Sequence, residues 1–231
     1  MNSSPLIQEP FSNWSSVAKL VQNQLPLSLG RYGAYIFHHT PRRMLYSLSY
    51  YKFAAKLIGP SQRVLDVGCN EGLGSWVLAK ECGFCQGIDF DANAIETAQK
   101  NFPDPSIAFL HADFCTAPPS ALFHAATSFD VIEHIAPDSV SIFWNSLCQS
   151  LTPEGMVIIG TPSLISQQFA SPISKRGHIN IYSHERLEEE MSRFFEYTFL
   201  FSANDEIVHT GYLPLAHYFI AVGCKKKQSG H

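Results

Sequence analysis

From residue 63 onwards, two kinds of apolar pattern alternate along the chain. Short runs rich in β-branched residues, such as residues 63–67 and 156–159, have the length and composition of buried strands. Longer segments between such runs carry apolar residues at helical spacing, as in residues 140–151. Strands that alternate with helices in this way predict a parallel sheet with helices on both faces.

The pattern predicts seven strands in one α/β unit. The predicted strands are residues 63–67, 84–89, 107–111, 125–132, 156–159, 197–202 and 217–223. Helices are predicted at residues 73–81 and 92–101, in a segment that begins at Pro137, and in one that Ser183 caps. We expect a doubly wound, Rossmann-like seven-stranded sheet that is mostly parallel, with an antiparallel last strand.

The first 60 residues follow a different pattern. Pro41 begins a predicted helix, and aromatic residues are dense around it. The apolar stripe of this helix consists of Leu45, Leu48, Tyr51, Ala55 and Ile58. Most of the aromatic rings are expected to fill the core between this helix and the sheet. Residues 1–60 are interpreted as a helical cap, residues 61–225 as the α/β domain and residues 226–231 as a disordered tail.

Composition and charge narrow the class of protein. A chain of 231 residues with 45% hydrophobic content can bury one good core. The net charge of −4 gives no electrostatic reason to expect a nucleic-acid partner. No apolar run approaches the roughly 18 residues of a membrane-spanning helix, and the N-terminus lacks the start of a secretory signal. The six cysteines are too scattered for a disulfide framework, so a cytoplasmic location is expected.

The turn after the first predicted strand is the most specific signal in the chain. Asp66 ends the strand, and Gly68, Asn70 and Gly72 follow before a helix. A strand, a tight glycine-rich turn and a helix N-terminus together form a cradle for a nucleotide. Leu73 stands where the dinucleotide fingerprint requires its third glycine, which disfavours a nicotinamide cofactor. No Gly-Lys-Ser/Thr triplet follows, which disfavours a nucleoside triphosphate.

Acidic residues also follow the next two predicted strands. Asp89 ends the second strand, and Asp113 comes just after the third. The carboxyl ends of parallel strands meet at one edge of a sheet, so Asp66, Asp89 and Asp113 are expected to line a common crevice. A carboxylate at position 89 can accept hydrogen bonds from both hydroxyls of a ribose.

These residues resemble motif I and the following strand ends of the class I S-adenosylmethionine (SAM) methyltransferases. Residues 128–135 and 177–183 are similar to two later segments of the group that resembles the ubiquinone-biosynthesis O-methyltransferase. The resemblance implies SAM as the cofactor and S-adenosylhomocysteine as the product. The cofactor-binding residues that it implies are Asp66, Gly68, Cys69, Asn70, Gly72, Asp89, Phe90, Asp113, Phe114 and Phe129.

The resemblance also implies transfer of a methyl group to a small-molecule acceptor. We expect a hydroxyl oxygen of a sugar, a quinone precursor or a natural product. His134 is the expected base for the hydroxyl proton, and Glu133 would orient His134 or act as a base itself. Two alternatives stay open, namely N-methylation and a subunit that binds SAM without catalysis. We expect no nucleic-acid partner and no membrane span, and a homodimer stays open.

A divalent cation beside the acceptor is a further alternative. Asp130, Glu133 and His134 carry atoms that can bind one. Residues 133 and 134 are placed at the end of the fourth predicted strand, however, where neighbouring side chains point to opposite faces. The sequence therefore predicts no metal site. His178 and His209 are two other histidines that could lie near the acceptor, although the sequence slightly favours an ordinary surface loop for each.

Overall fold

The computed structural model of the protein describes residues 10–227. The strands are β1 (Gln62–Val67), β2 (Gly83–Asp89), β3 (Ile107–His111), β4 (Phe123–Phe129), β5 (Leu151–Pro162), β6 (Phe195–Ala203), β7 (Val208–His209) and β8 (Tyr218–Lys226). The helices are α1 (Pro10–Val21), α2 (Arg31–His39), α3 (Pro41–Ile58), α4 (Leu73–Cys82), α5 (Ala92–Asn101), α6 (Val140–Ser150), α7 (Pro172–Gly177) and α8 (His184–Phe194). Strands and helices alternate through most of the chain, as the sequence predicts.

All eight strands belong to one sheet, in the order β3-β2-β1-β4-β5-β8-β6-β7. β1 to β5 pair in parallel, and β8 lies antiparallel between β5 and β6. The predicted α/β fold is therefore confirmed, with one strand more than expected because the two-residue β7 pairs with the end of β6. The chain moves outward from β1 to β3 and then returns to β4 on the other side of β1. Ligands of such sheets bind at the carboxyl ends of the strands beside this switch point.

Helices cover both faces of the sheet. On one face, Phe143 and Trp144 of α6 pack with Met191 of α8 in a fully buried cluster. On the other face, Tyr51 of α3 packs with Leu78 of α4. Full burial of one such large side chain contributes about 1.5–3 kcal/mol. The helix α3, expected as part of a cap, therefore also belongs to the core.

The predicted buried stripe of α3 is only partly right. Tyr50, Tyr51, Ala54 and Ala55 are buried, whereas Leu45 is 60% exposed. The helix packs against α4 and also contacts the sheet, so two neighbouring rows of side chains are covered instead of one.

The fourth predicted strand is three residues too long. It was expected to reach residue 132, but β4 ends at Phe129. Asp130 has a φ of +56°, which no strand residue adopts, and Ile132–His134 form a turn of 3₁₀ helix. Ile132 is completely buried. Its apolar character therefore reflects core packing and not a longer strand.

The two ends of the chain are described only in part. Residues 1–9 and 228–231 lie outside the described residues, and so do most positions of the predicted tail. Lys226, the first residue assigned to that tail, is the last residue of β8. Within residues 10–227, every helix is too short or too polar to cross a membrane.

Candidate active site

The bend after β1 is built from residues in left-handed conformations. Gly68, Asn70 and Gly72 have φ angles of +76°, +50° and +82°. The amides of Gly68 and Cys69 donate to the Ile88 carbonyl at 2.8 and 3.1 Å, and the Gly72 amide donates to the Cys69 carbonyl at 3.0 Å. These amides are therefore used inside the protein. The donors that remain for an anion are the first-turn amides of α4, which helix geometry leaves unpaired.

The two glycines of the bend also permit close packing. A Cβ atom at Gly68 would lie 2.2 Å from Cγ2 of Val131, in the loop after β4. A Cβ atom at Gly72 would lie 2.7 Å from the ring of Phe109 on β3. Larger residues would therefore push the bend away from its neighbours. The bend and the loop after β4 are in direct contact.

Asp89, at the end of β2, is bonded to the bend. Its Oδ2 accepts from the Asn70 amide at 2.8 Å, and its Oδ1 accepts from the Asp91 amide at 2.9 Å. These bonds hold the half-buried carboxylate in one orientation. Each carboxylate oxygen has two lone pairs, so each keeps one for a further donor.

Asp66 lies inside the protein instead of in the crevice. Its side chain is fully buried, and its carboxylate accepts from Ser75 Oγ (2.6 Å), Thr127 Oγ1 (2.7 Å) and Tyr51 Oη (3.3 Å). Burial raises the pKa of Asp66 to about 6, although the three hydroxyl donors act in the opposite direction. Asp66 therefore ties β1 to α3, α4 and β4 beneath the bend. Because Asp66 is fully buried, a ligand could contact its carboxylate only if a neighbouring side chain moved.

The other predicted cofactor residues differ in exposure. Asp113 is exposed after β3 and accepts a hydrogen bond from the amide two residues later at 2.9 Å. Phe90 is 77% exposed and can cover a ligand in the crevice. Phe114, Phe129 and Cys69 are each at least 94% buried. Any contact of these three with a ligand would be at the edge of the side chain.

Glu71, which the sequence analysis missed, connects the bend to the cap. Its buried carboxylate accepts from the amides of Tyr32 (2.9 Å) and Gly33 (2.7 Å), at the N-terminus of α2. A Cβ atom at Gly30 would lie 2.1 Å from Glu71 Oε1. Glycines at 30 and 33 are therefore needed for the carboxylate to approach, and they are the only sign of this contact in the sequence.

Further contacts hold the same part of the cap. Arg31 pairs with Asp91 at 2.6 Å, and its guanidinium lowers the pKa of Asp91 to about 2. The backbone of Ser28 exchanges two hydrogen bonds, of 3.0 and 2.8 Å, with the side-chain amide of Asn101. A cleft of about 230 Å³ remains between Arg31, Glu71 and the beginning of α5. The cap therefore lies directly over this side of the crevice.

A second polar group lies in the loop after β4. Asp130 pairs with Arg43 of α3 at 3.6 Å. Glu133 is completely buried, and its Oε2 accepts from Thr161 Oγ1 at 3.1 Å. Its Oε1 is also buried and has no hydrogen-bond partner among residues 10–227. Burial, followed by the nearby charge of Asp130, raises the pKa of Glu133 well above its usual value.

His134 and His178 complete this group. Nδ1 of His134 lies 2.8 Å from the carbonyl oxygen of Gly177, and Nδ1 of His178 lies 3.0 Å from Oε1 of Gln167. The centroids of the two imidazole rings are 5.2 Å apart. One ring nitrogen of each histidine and a carboxylate oxygen of Glu133 lie within 4.8 Å of one another. The expectation that residues 133 and 134 point apart is wrong, because they occupy a 3₁₀ turn and not a strand.

Aromatic side chains border the group on the side of the sheet. The ring of Tyr50 stacks on that of Tyr218 with 4.5 Å between centroids, and it lies 6.2 Å from that of Phe129. Tyr50 and Tyr51 fill the core, but the expectation that most of the cap aromatics do so is wrong, because Tyr32, Tyr35 and Phe37 are 44–53% exposed. His209 lies on β7, where its Nδ1 is 3.0 Å from Ser202 Oγ.

Known proteins share the region that contains these residues. Residues 64–155 match the family model of a methyltransferase domain. An uncharacterized methyltransferase of Mycobacterium tuberculosis is 37% identical over 108 residues, which are 45% of this chain and 54% of that protein. A phosphoethanolamine N-methyltransferase of Zea mays is 34% identical over 136 residues, which are 55% of this chain and 27% of that protein. The chain therefore spans about half the length, or less, of these curated relatives.

A solved structure supports the same assignment at the level of the fold. A TehB-like SAM-dependent methyltransferase from Corynebacterium glutamicum superposes with a TM-score of 0.60, at 16% identity, over 93% of this chain and 97% of that one. The matched family region includes the bend, Asp89, Glu133 and His134. The resemblance predicted from the sequence is confirmed to this extent: residues 64–155 match a methyltransferase domain, and the chain has the fold of a SAM-dependent methyltransferase.

Proposed function

We propose that the protein binds SAM and transfers its methyl group to a hydroxyl oxygen of a small molecule. The observation that carries the proposal is the contact between the bend after β1 and the loop after β4. Gly68 and Val131 approach so closely that no side chain fits between them. A cofactor held at the bend would therefore lie beside the polar group of Asp130, Glu133, His134 and His178.

The residues at the bend fit SAM. Asp89 is held in place by two backbone amides and keeps lone pairs for a ribose diol. The unpaired first-turn amides of α4 suit the carboxylate of the cofactor. Exposed Phe90 and Asp113 stand at the neighbouring strand ends, where an adenine ring and its amino group can be held. These roles for Asp89, Phe90 and Asp113 are proposals.

The loop after β4 provides groups that can act on the acceptor. SAM supplies a methyl group already activated by its sulfonium, so the protein has to align the acceptor and manage its proton. The exposed imidazole of His134 bonds the Gly177 carbonyl through Nδ1, which leaves Nε2 for an acceptor. An imidazole placed in this way can take the proton of a hydroxyl, and proton transfer of this kind contributes about 10²–10⁴-fold to a rate. We assign this activating role to His134; the buried Glu133 is its neighbour in the same 3₁₀ turn.

Equilibrium binding and label transfer test the proposal in two steps. Calorimetry should show one SAM or S-adenosylhomocysteine bound per chain. Incubation with SAM labelled on the methyl group and fractionated cell extract should then place the label on a small molecule. His124→Ala, at the opposite end of β4 and exposed, is a suitable control that should preserve both results.

The position of the label decides between the remaining alternatives. A methyl ether in the product supports the hydroxyl acceptor, whereas a methylated amine would replace it with the N-methylation that the name of the maize relative suggests. SAM binding without any labelled product would leave a non-catalytic SAM-binding subunit. Absence of SAM binding would refute the proposal as a whole.

A further inference from the structure

We propose that Glu133, His134 and His178 bind a divalent first-row transition-metal ion. Each of these residues offers one ligand atom, and the three atoms lie within 4.8 Å of one another. Around an ion with ligand bonds of roughly 2.0–2.2 Å, neighbouring ligand atoms stand about 3 Å apart. The three atoms would therefore have to move closer together when an ion binds.

The two histidines are already oriented as metal ligands. Nδ1 of His134 faces the Gly177 carbonyl oxygen, and this oxygen can only accept a hydrogen bond. Nδ1 of His178 faces Oε1 of Gln167 in the same way. In this arrangement a neutral ring donates from Nδ1 and presents the lone pair of Nε2. Metal-binding histidines are typically held like this, with the other ring nitrogen donating to an oxygen.

Glu133 provides an independent indication of a ligand. Its Oε1 is buried and has no hydrogen-bond partner among residues 10–227. A buried carboxylate oxygen without a partner costs free energy, and in native proteins such groups are usually paired or bound to a metal. A cation between Glu133 and the two imidazoles would supply that partner.

The backbone brings the three residues together without a ligand. The amides of Ile179 and Asn180 donate to the Glu133 carbonyl at 2.9 and 3.0 Å. These two bonds fix the segment that carries His178 against the 3₁₀ turn that carries Glu133 and His134. The site is therefore largely formed by the fold itself.

The ligand types indicate which ion is bound. Two imidazole nitrogens and one carboxylate oxygen suit Mn²⁺, Fe²⁺, Co²⁺ or Zn²⁺ better than Mg²⁺ or Ca²⁺, which prefer oxygen alone. Three protein ligands also leave coordination positions open, as in catalytic metal sites. An oxygen of the acceptor can occupy such a position, a role that rests on the proposed methyl transfer. In that case the ion activates the hydroxyl, and His134 acts by holding the ion.

Metal titration of the chelator-treated full chain, without SAM, tests the site directly. Loss of the electron paramagnetic resonance signal of free Mn²⁺ should show one ion bound per chain, and calorimetry should show the same for Zn²⁺. His134→Ala, His178→Ala and Glu133→Gln should each lower the affinity at least tenfold. Gln167→Leu removes only the oxygen that orients His178, and its affinity should fall about tenfold. His124→Ala is the matched control and should differ from the original protein by less than twofold.

Two results would overturn the proposal. One is failure of the original chain to bind Mn²⁺ or Zn²⁺ at millimolar concentration. The other is equal affinity in the original chain and in the folded variants at positions 134 and 178. Thermal unfolding of each variant identifies any that fail to fold, and the two exposed or half-buried histidines keep the test valid if Glu133→Gln does not fold. Metal binding in a chain that fails to bind SAM would refute the proposed function and leave the site intact.

Discussion

Removal of the Glu71 carboxylate tests whether the bend and the cap behave as one unit. Its two oxygens accept from the amides of Tyr32 and Gly33 at 2.9 and 2.7 Å, in a buried position. A hydrogen bond to a charged group contributes about 1.5–3 kcal/mol, and the loss of a helix N-cap costs about 1 kcal/mol. The two bonds serve the same helix end, so their contributions are not additive. For Glu71→Ala we expect local opening of α2 to become easier by about 2 kcal/mol.

Native-state hydrogen exchange measured by NMR reports this opening directly. A change of about 2 kcal/mol corresponds to roughly 30-fold faster exchange of the amides of Tyr32 and Gly33. Glu71→Gln keeps one acceptor oxygen and should fall between the original protein and Glu71→Ala. Glu96→Gln removes an exposed carboxylate that pairs with Lys100 on the same helix, and it should leave both amides unchanged. Equal exchange rates in Glu71→Ala and the original protein would refute the coupling.

Three further substitutions test other parts of the site. Asp66→Asn should alter the pH dependence of stability: the pKa of about 6 in the folded state exceeds the ordinary value of 3.8, so the contribution of Asp66 is largest below pH 4 and is lost as pH rises through 6. Between pH 4 and pH 7, urea unfolding should show a loss of stability that is about 2 kcal/mol larger in the original protein than in the variant. Asp89→Asn should weaken SAM binding at least tenfold by calorimetry, and unchanged affinity would remove Asp89 from the cofactor site. Gly68→Ala should lower stability by at least about 1 kcal/mol, since it adds a Cβ atom at a φ of +76° and 2.2 Å from Val131. Combining it with Val131→Ala should restore part of that loss in thermal unfolding, and no recovery would mean that the backbone angle alone is responsible.

The sheet and the crevice were predictable because they depend on local patterns. Short apolar runs define β1, β2, β3 and β5, and a parallel sheet necessarily brings its carboxyl ends to one edge. The positive φ angle of Asn70 was predictable too, because asparagine is one of the few residues that tolerate it. These features need no knowledge of distant contacts.

The loop after β4 shows where pattern reading fails. Val131 and Ile132 extend the apolar segment of β4. Apolar residues occur in buried turns as well as in buried strands, so composition does not distinguish the two. The left-handed conformation of Asp130 ends the strand. Aspartate tolerates this conformation better than most residues, but an aspartate next to apolar residues does not by itself predict it. The assignment of residues 133 and 134 to a strand end also hid the possible metal site. A strand separates the side chains of residues 133 and 134, whereas the 3₁₀ turn brings ligand atoms of both close to His178.

The contact between the bend and the cap could not be predicted from local patterns, because it joins residues 38 and 39 positions apart. Glu71 stands between Asn70 and Gly72, and a glutamate in such a turn is ordinarily expected to be exposed to solvent. Its burial follows from the position of α2, and that position depends on tertiary packing. Only the glycines at 30 and 33 hint that another group approaches the backbone there.

Three acidic residues of the bend region form hydrogen bonds with three different parts of the protein, and two of these parts belong to the cap. Asp66 is bonded to Tyr51 of α3, Glu71 to the first turn of α2, and Asp89 to the bend itself. The cap also reaches the loop after β4, where Arg43 of α3 pairs with Asp130. Loss of residues 10–58 would therefore remove partners from both halves of the site at once. We expect such a truncated chain to lose cofactor binding together with acceptor binding, because the cap is part of the structure that shapes the bend.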